Sequence, residues 1–185
     1  MIIRFIDIIS SIFGIILLLP LFFFLILLGW IDTGSPFFKQ ERVGQFKKPF
    51  VLIKFRTMKT DSISIATHLA DISNITKYGN FLRKTKLDEL PQLWNVFKGD
   101  MSLVGPRPCL FNQIELINER NKKDIFRVKP GITGLAQIKG IDMSDPKLLS
   151  LEESEMISSL DLNSYLRYIL LTIIGRGFGD RVRKN

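Results

Sequence analysis

Three observations on this chain of 185 residues predict an α+β fold. An uncharged apolar run extends from Ile8 to Ile31, two extended stretches flank Gly44 to Pro49, and Leu90, Leu93, Trp94 and Phe97 repeat with a helical period. Together they predict a lipid-contacting apolar segment over residues 1–33, kinked at Pro20, and a small globular domain over residues 34–185. That domain combines helices with a β-hairpin and adds amphipathic helices lying in the interface.

The length leaves room for one compact domain of about 150 residues and a short appendage. A hydrophobic share of 46% excludes a disordered chain. Lys and Arg number 26 against 18 Asp and Glu, for a net charge of +8, and nearly all the basic residues follow the apolar run. This segregation points to a lipid-contacting N-terminus joined to a cationic body, because about 20 apolar residues suffice to cross a bilayer core.

The run is too long for a signal peptide, and no small-x-small cleavage site follows it. Arg4 precedes the run, and Lys39, Arg42, Lys47 and Lys48 follow it, so both flanks carry the cytoplasmic signature. Pro20 lies near its middle, where it removes a helical hydrogen bond and clashes with the preceding turn. A kinked helix returning to the same face satisfies both facts; a single span with an incidental proline is the other topology these residues allow. With Phe22, Phe23 and Phe24 the segment is apolar on every face, unlike an amphipathic soluble helix.

Gly34-Ser35-Pro36 marks the exit, and Phe37 to Val43 and Phe50 to Met58 form a hairpin with a basic loop. Asp61 to Lys77, which includes His68, reads as a polar loop beside the site. A short helix over Asn80 to Lys86 precedes the stronger one over Leu90 to Phe97, which Gly99 stops. Pro106 and Pro108 break the chain, Gln113 to Phe126 reads as a charged surface helix, and Pro130 to Gly140 reads as a turn and strand. Tyr165 to Ile174 is too short to span a membrane and lies in the interface or packs on the body, ahead of Gly175, Gly177, Gly179 and a basic tail.

Cys109, the only cysteine, excludes an internal disulfide and a CxxC metal site. No GxxxxGK[ST] loop or GxGxxG fingerprint opens a helix, and the single histidine supports no Ser-His triad. Asp88 and Glu89 stand where the best helix begins. Asp is a favoured N-cap, so helix capping is one reading, and the same position favours the ionised form that an attacking carboxylate needs. Arg83, Lys84 and Lys86 precede the two acids and Lys98 and Arg107 follow them. Surface salt bridges would account for that density, and so would a carboxylate site for Mg²⁺ acting on a phosphate held by the cations. Strand alternation puts Lys54 and Arg56 on one face, where they could hold a diphosphate. In Gly105-Pro106-Arg107-Pro108 the flanking prolines restrict the backbone around one guanidinium.

The run from Phe81 to Val96, FLRKTKLDELPQLWNV, and the run from Lys98 to Pro108, KGDMSLVGPRP, resemble the bacterial sugar transferases that are monotopic phosphoglycosyl transferases. Gln40 to Gly44, Lys54 to Met58 and Lys129 to Gln137 extend the resemblance in order over nearly the whole chain. The resemblance implies transfer of a sugar 1-phosphate from a UDP-sugar to a polyprenyl phosphate such as undecaprenyl phosphate, with release of UMP. It implies Asp88 as nucleophile forming a covalent phosphosugar intermediate, Glu89 as partner of Mg²⁺, and Arg83, Arg107 and Lys54 as phosphate or nucleotide contacts. It also favours the re-entrant topology at the inner leaflet of the bacterial cytoplasmic membrane, in polysaccharide or glycoprotein-glycan synthesis.

This chain departs from the family pattern at Leu19, where relatives often carry Ser before Pro20. Leu135 stands where many have Trp, and Lys139 to Asp142 where many have an Asn-Gly-Arg turn. By analogy, the Gly140 to Ser144 stretch inclines the expected sugar toward an N-acetylated deoxyamino one. Two other functions compete: a basic module binding anionic lipid or nucleic acid, and a glycosyltransferase releasing UDP. Only Phe55 alternates with Lys54 and Arg56, so nucleic acid is not the expected partner. The oligomeric state is left open, a dimer included.

Overall fold

The computed structural model describes residues 2–60 and 72–175. His68, Gly177, Gly179 and the basic tail lie outside the described residues. The fold mixes helices with strands, as expected. Helix α1 (Ile2–Leu17) and helix α2 (Leu19–Thr33) form the N-terminal segment and are bent by 64° at the break between them. Pro20 sits in the first turn of α2, where its missing N–H and its ring fit poorly in a continuous helix; the break falls at Leu18, at φ −93° and ψ 5°. Among the described residues no single helix is long and apolar enough to cross a membrane, whereas this bent pair is so by length and composition.

Strands β1 (Phe37–Val43) and β2 (Pro49–Phe55) pair antiparallel, from Phe37 opposite Phe55 to Val43 opposite Pro49. The hairpin loop turns through Phe46 and Lys47 at positive φ. Strand β2 ends at Phe55, three residues short of the expected boundary, so Arg56 falls outside it.

Helix α3 (Lys77–Thr85) starts at Thr76, whose side chain accepts from Gly79 N. Lys86, in the left-handed region at φ 59°, ends α3 and opens a 3₁₀ turn over Leu87–Glu89; helix α4 (Gln92–Lys98) follows. Asp88 is therefore not the N-cap of α4, which is Pro91 without a side-chain cap.

Strand β3 (Ser102–Val104) lies parallel to β4 (Gly131–Thr133), and helix α5 (Ile114–Lys122) lies in the crossover between them. The expected surface helix ends early because Asp124 adopts φ 52°, and it is not purely a surface element: Leu116 and Arg120 are buried. Helix α6 (Leu135–Lys139) replaces most of the strand expected before Gly140. Helix α7 (Pro146–Ser158), not anticipated, begins with an Asp145 cap and Pro146 at its first position. Helix α8 (Leu162–Ile173) buries Tyr165 and exposes Leu166, Leu170 and Ile173.

Three apolar clusters tie these elements together. One joins Leu52, Val96, Met101, Leu103, Met156 and Tyr165 and takes in Ile3 and Ile6 of α1. A second gathers Val43, Cys109, Leu116, Phe126 and Leu149. The third, Leu25, Phe55 and Leu82, docks α2 on α3 and the hairpin, with Phe37 stacked on Phe55 at 5.4 Å.

The first turns of α1 thus belong to the core of the body. Arg4 donates to Val96 O at 2.6 Å and Phe97 O at 2.8 Å, satisfying carbonyls at the end of α4 where a cation is favoured. Asp7 is buried and accepts from Leu103 N at 2.9 Å, Ser102 Oγ at 3.1 Å and Tyr165 Oη. A buried carboxylate is tolerable only with partners of this kind.

Tyr165→Phe removes one of them and is expected to cost about 1–3 kcal/mol, read as a lower unfolding midpoint of the protein. An unchanged midpoint would mean that this network does not hold α1 to the body. Burial, and then the hydrogen bond to Asp7, hold the Tyr165 phenol well above its usual range. Because its folded pKa is raised, its contribution is complete below about pH 10 and is lost as the pH climbs towards the folded value. Alkaline titration should therefore destabilise the wild type more than Tyr165→Phe.

Candidate active site

The 3₁₀ turn that follows Lys86 presents Asp88 and Glu89 together. Asp88 is 5% exposed. Glu89 Oε1 lies 3.3 Å from Lys54 Nζ and 3.1 Å from Arg107 Nη2. With 13% of each of the Lys54 and Glu89 side chains exposed and 20% of Arg107, the triad is screened less than a surface pair.

Each member arrives on a different element. Lys54 is on β2, and β2 is tied to α4 by Asn95, whose amide donates to Val51 O at 2.7 Å and accepts from Ile53 N at 3.1 Å. This side-chain pairing sets the turn bearing Glu89 against the strand bearing Lys54. Arg107 follows β3, in a segment whose flanking Pro106 and Pro108 are both buried.

Gly105 and Gly131 let two backbones cross here. A Cβ on Gly131 would run into the Gly105 backbone, and one on Gly105 into that of Lys129 to Gly131.

Of the other expected site residues, Arg83 Nε donates to Thr57 Oγ1 at 2.9 Å, fastening α3 to the chain just after β2. Arg56 does not share a strand face with Lys54, contrary to expectation, because β2 has already ended. Its guanidinium donates to Ser35 O at 3.1 Å and Phe37 O at 3.4 Å and lies 5.7 Å from the centre of the Phe38 ring. Lys98 pairs with Asp100 at 3.1 Å. Leu135 begins α6; Ile141 and Met143, in the stretch expected to bear on sugar choice, pack on the second core cluster.

Of the cations that precede the two acids, Lys86 joins the site, and two further contributors, Asn95 and Arg120, are not among the residues the sequence singles out. Lys86 lies close enough to Glu89 and Arg107 to feel both. Burial lowers its ammonium pKa below the usual lysine value, with Glu89 opposing that shift and Arg107 adding to it. Asn95, a polar residue in an apolar helical repeat, was the one visible signal for the β2–α4 tie. Arg120, on α5, donates to Arg107 O at 2.9 Å, and nothing in its charged stretch distinguished it.

As to metal, no group of three or more His, Cys, Asp or Glu side chains among the described residues forms a cage. Asp88 and Glu89 supply hard oxygen donors, which suit Mg²⁺ only if phosphate oxygens complete its shell. The arrangement as it stands is a carboxylate pair bounded by Lys54, Lys86 and Arg107, suited to a phosphorylated anion.

Comparison with known proteins agrees. The uncharacterized sugar transferase EpsL of Bacillus subtilis (strain 168) is 46% identical over 138 residues, covering 74% of this chain and 68% of that protein. The UDP-galactose-lipid carrier transferase of Erwinia amylovora is 42% identical over 154 residues, covering 72% of this chain and 31% of the relative. The UDP-glucose:undecaprenyl-phosphate glucose-1-phosphate transferase of Xanthomonas campestris pv. campestris is 36% identical over 155 residues, covering 77% and 32%. The chain thus spans about a third of the length of these last two. The model of the bacterial sugar transferase family matches residues 1–175, nearly the whole chain, and the protein belongs to that family.

Proposed function

We propose that the protein is a phosphoglycosyl transferase that moves a sugar 1-phosphate from a UDP-sugar to a membrane polyprenyl phosphate and releases UMP. The observation that carries this reading is Glu89 held between Lys54 and Arg107, next to the buried Asp88. Undecaprenyl phosphate is named as acceptor for the Xanthomonas relative, and galactose or glucose in the names of two relatives. A UDP-hexose is therefore the first donor to try, ahead of the N-acetylated deoxyamino sugar.

In the proposed mechanism an Asp88 oxygen attacks the sugar-bearing phosphorus. The bond from that phosphorus to the bridging oxygen breaks, and UMP leaves with the electron pair. An oxygen of the polyprenyl phosphate then attacks the acyl phosphate, forming the diphosphate linkage and restoring the carboxylate. Lys54, Arg107 and Lys86 hold the phosphoryl oxygens as negative charge redistributes, with Arg83 behind them on α3. Mg²⁺, held by Glu89 and Asp88 together with substrate phosphate, would supply further charge neutralisation.

The bent α1–α2 pair exposes Phe5, Phe13, Phe23, Phe24 and Ile31. We take this apolar surface as the re-entrant anchor in the inner leaflet of the bacterial cytoplasmic membrane. It would set the site at the level of the lipid phosphate.

A panel of UDP-sugars, assayed with polyprenyl phosphate, should give UMP with at least one donor; UDP as the product would defeat the proposal. Without acceptor, a burst of UMP no larger than the enzyme concentration is expected. Asp88→Asn should abolish the burst and slow turnover by more than about 10³-fold, whereas an unchanged burst would rule out Asp88 as nucleophile. Chelation by EDTA should stop turnover, and Glu89→Gln should raise the Mg²⁺ needed for half-maximal rate about tenfold or more. Equal Mg²⁺ dependence in the two proteins would remove Glu89 from the metal site.

A further inference from the structure

Against the backbone of Arg107, an ion pair is buried between α5 and α7. Arg120 is 2% exposed and Glu153 1%. The pairing is two-pronged: Arg120 Nε donates to Glu153 Oε2 at 2.8 Å and Nη2 donates to Glu153 Oε1 at 2.5 Å. The second hydrogen of Nη2 goes to Arg107 O at 2.9 Å. Arg120 also faces the Cys109 thiol, which burial pushes up in pKa while Arg120 works against that shift.

An apolar pair of similar volume would fill the gap between α5 and α7 at least as well, because a buried ion pair bears the desolvation of both charges. Only a donor can hold the Arg107 carbonyl. Proline on each side of Arg107 removes two neighbouring N–H groups, so the carbonyls are the main handles on this segment.

We infer that Arg120, oriented by Glu153, is a positioning residue: it fixes the backbone at Arg107 so that the guanidinium reaches Glu89 and the transferring phosphate. The inference rests on the phosphosugar-transfer reading for its kinetic consequence, though not for its structural one. The pair touches the backbone of Arg107, not the reacting atoms.

The test replaces both partners together, as Arg120→Met with Glu153→Leu, in the full chain. The expected result is an unfolding midpoint close to wild type with kcat/KM for the UDP-sugar lowered roughly 10- to 100-fold. In an Arg107→Ala background the same two substitutions should cause little further loss, since the residue through which they act is gone. Full activity in the apolar variant would overturn the inference, as would an equal loss in both backgrounds.

Should the double variant fail to fold, Arg120→Lys keeps the charge and one donor; it should show the same loss, confined to proteins that retain Arg107. A readout independent of turnover is the Nε–H resonance of Arg107 in ¹⁵N-labelled protein. It should be ordered in wild type and broadened or averaged in either variant, and unchanged order would refute the positioning role. If the wild type releases no UMP from any donor, the transfer reading falls, while this resonance still decides whether Arg120 holds Arg107.

Discussion

Four consecutive carbonyls, from Pro106 to Cys109, are each captured by a donor from elsewhere, and the site depends on that capture. Gly131 N donates to Pro106 O at 2.9 Å, Arg120 Nη2 to Arg107 O at 2.9 Å, Arg42 Nη1 to Pro108 O at 3.2 Å, and Val43 N to Cys109 O at 2.9 Å. A segment with two prolines in three residues cannot hold its place by donating into a sheet, so it is held by what it accepts. The donors come from β1, α5 and β4. One short stretch therefore fastens the hairpin, the crossover helix and the parallel strand pair around a single partly buried group, the Arg107 guanidinium. The same logic explains Gly105 and Gly131, whose missing side chains let the backbones approach closely enough for the first of these bonds.

A second constraint governs how the N-terminal segment meets the body. Arg4 on the last carbonyls of α4, and Asp7 among Leu103 N, Ser102 and Tyr165, make the start of α1 a structural part of the domain. Gly14 adds a close contact with Leu93 farther along the helix, where a Cβ would come within 3.2 Å of the Leu93 side chain. Because α4 also carries the turn with Asp88 and Glu89 at its start, the orientation of α1 and that of the carboxylates are set by the same helix. A polar interlock suits this junction: its hydrogen bonds have directions, whereas apolar packing alone would let α1 slide or rotate.

The sequence made the hairpin, the α3 and α4 helices and the bend at Pro20 legible, because each rests on a local signal: alternation, an apolar repeat with a terminating Gly99, a missing N–H. The grouping of Lys54, Glu89 and Arg107 followed from family motifs rather than from periodicity. What failed was local reasoning about conformation set by tertiary contacts. Arg56 was expected to alternate with Lys54, but the strand ends one residue earlier. Capping was one of two readings of Asp88, and it fails because Lys86 enters the left-handed region and the turn tightens to 3₁₀ ahead of α4. Helix α7 does carry a local signal, the Asp145 cap followed by Pro146. Arg120 had none, since a buried arginine and a solvated one look alike in a stretch that also carries Glu119, Lys122 and Lys123.

The net charge of +8 takes on a more specific meaning in this setting. Lys54 and Arg107 converge on one carboxylate with Lys86 within electrostatic reach, and without an anion between them the cations would repel one another. Glu89 offsets part of that charge in the resting protein, which is why the triad closes on itself. A ligand must therefore compete with a carboxylate that is already in place. On the proposed reading a singly charged anion would gain little by that exchange, whereas a diphosphate would bring more charge and more oxygens than Glu89 can offer and would leave the glutamate available to Mg²⁺. On the proposed reading, the self-paired triad thus selects for diphosphate donors before any contact with the sugar is made.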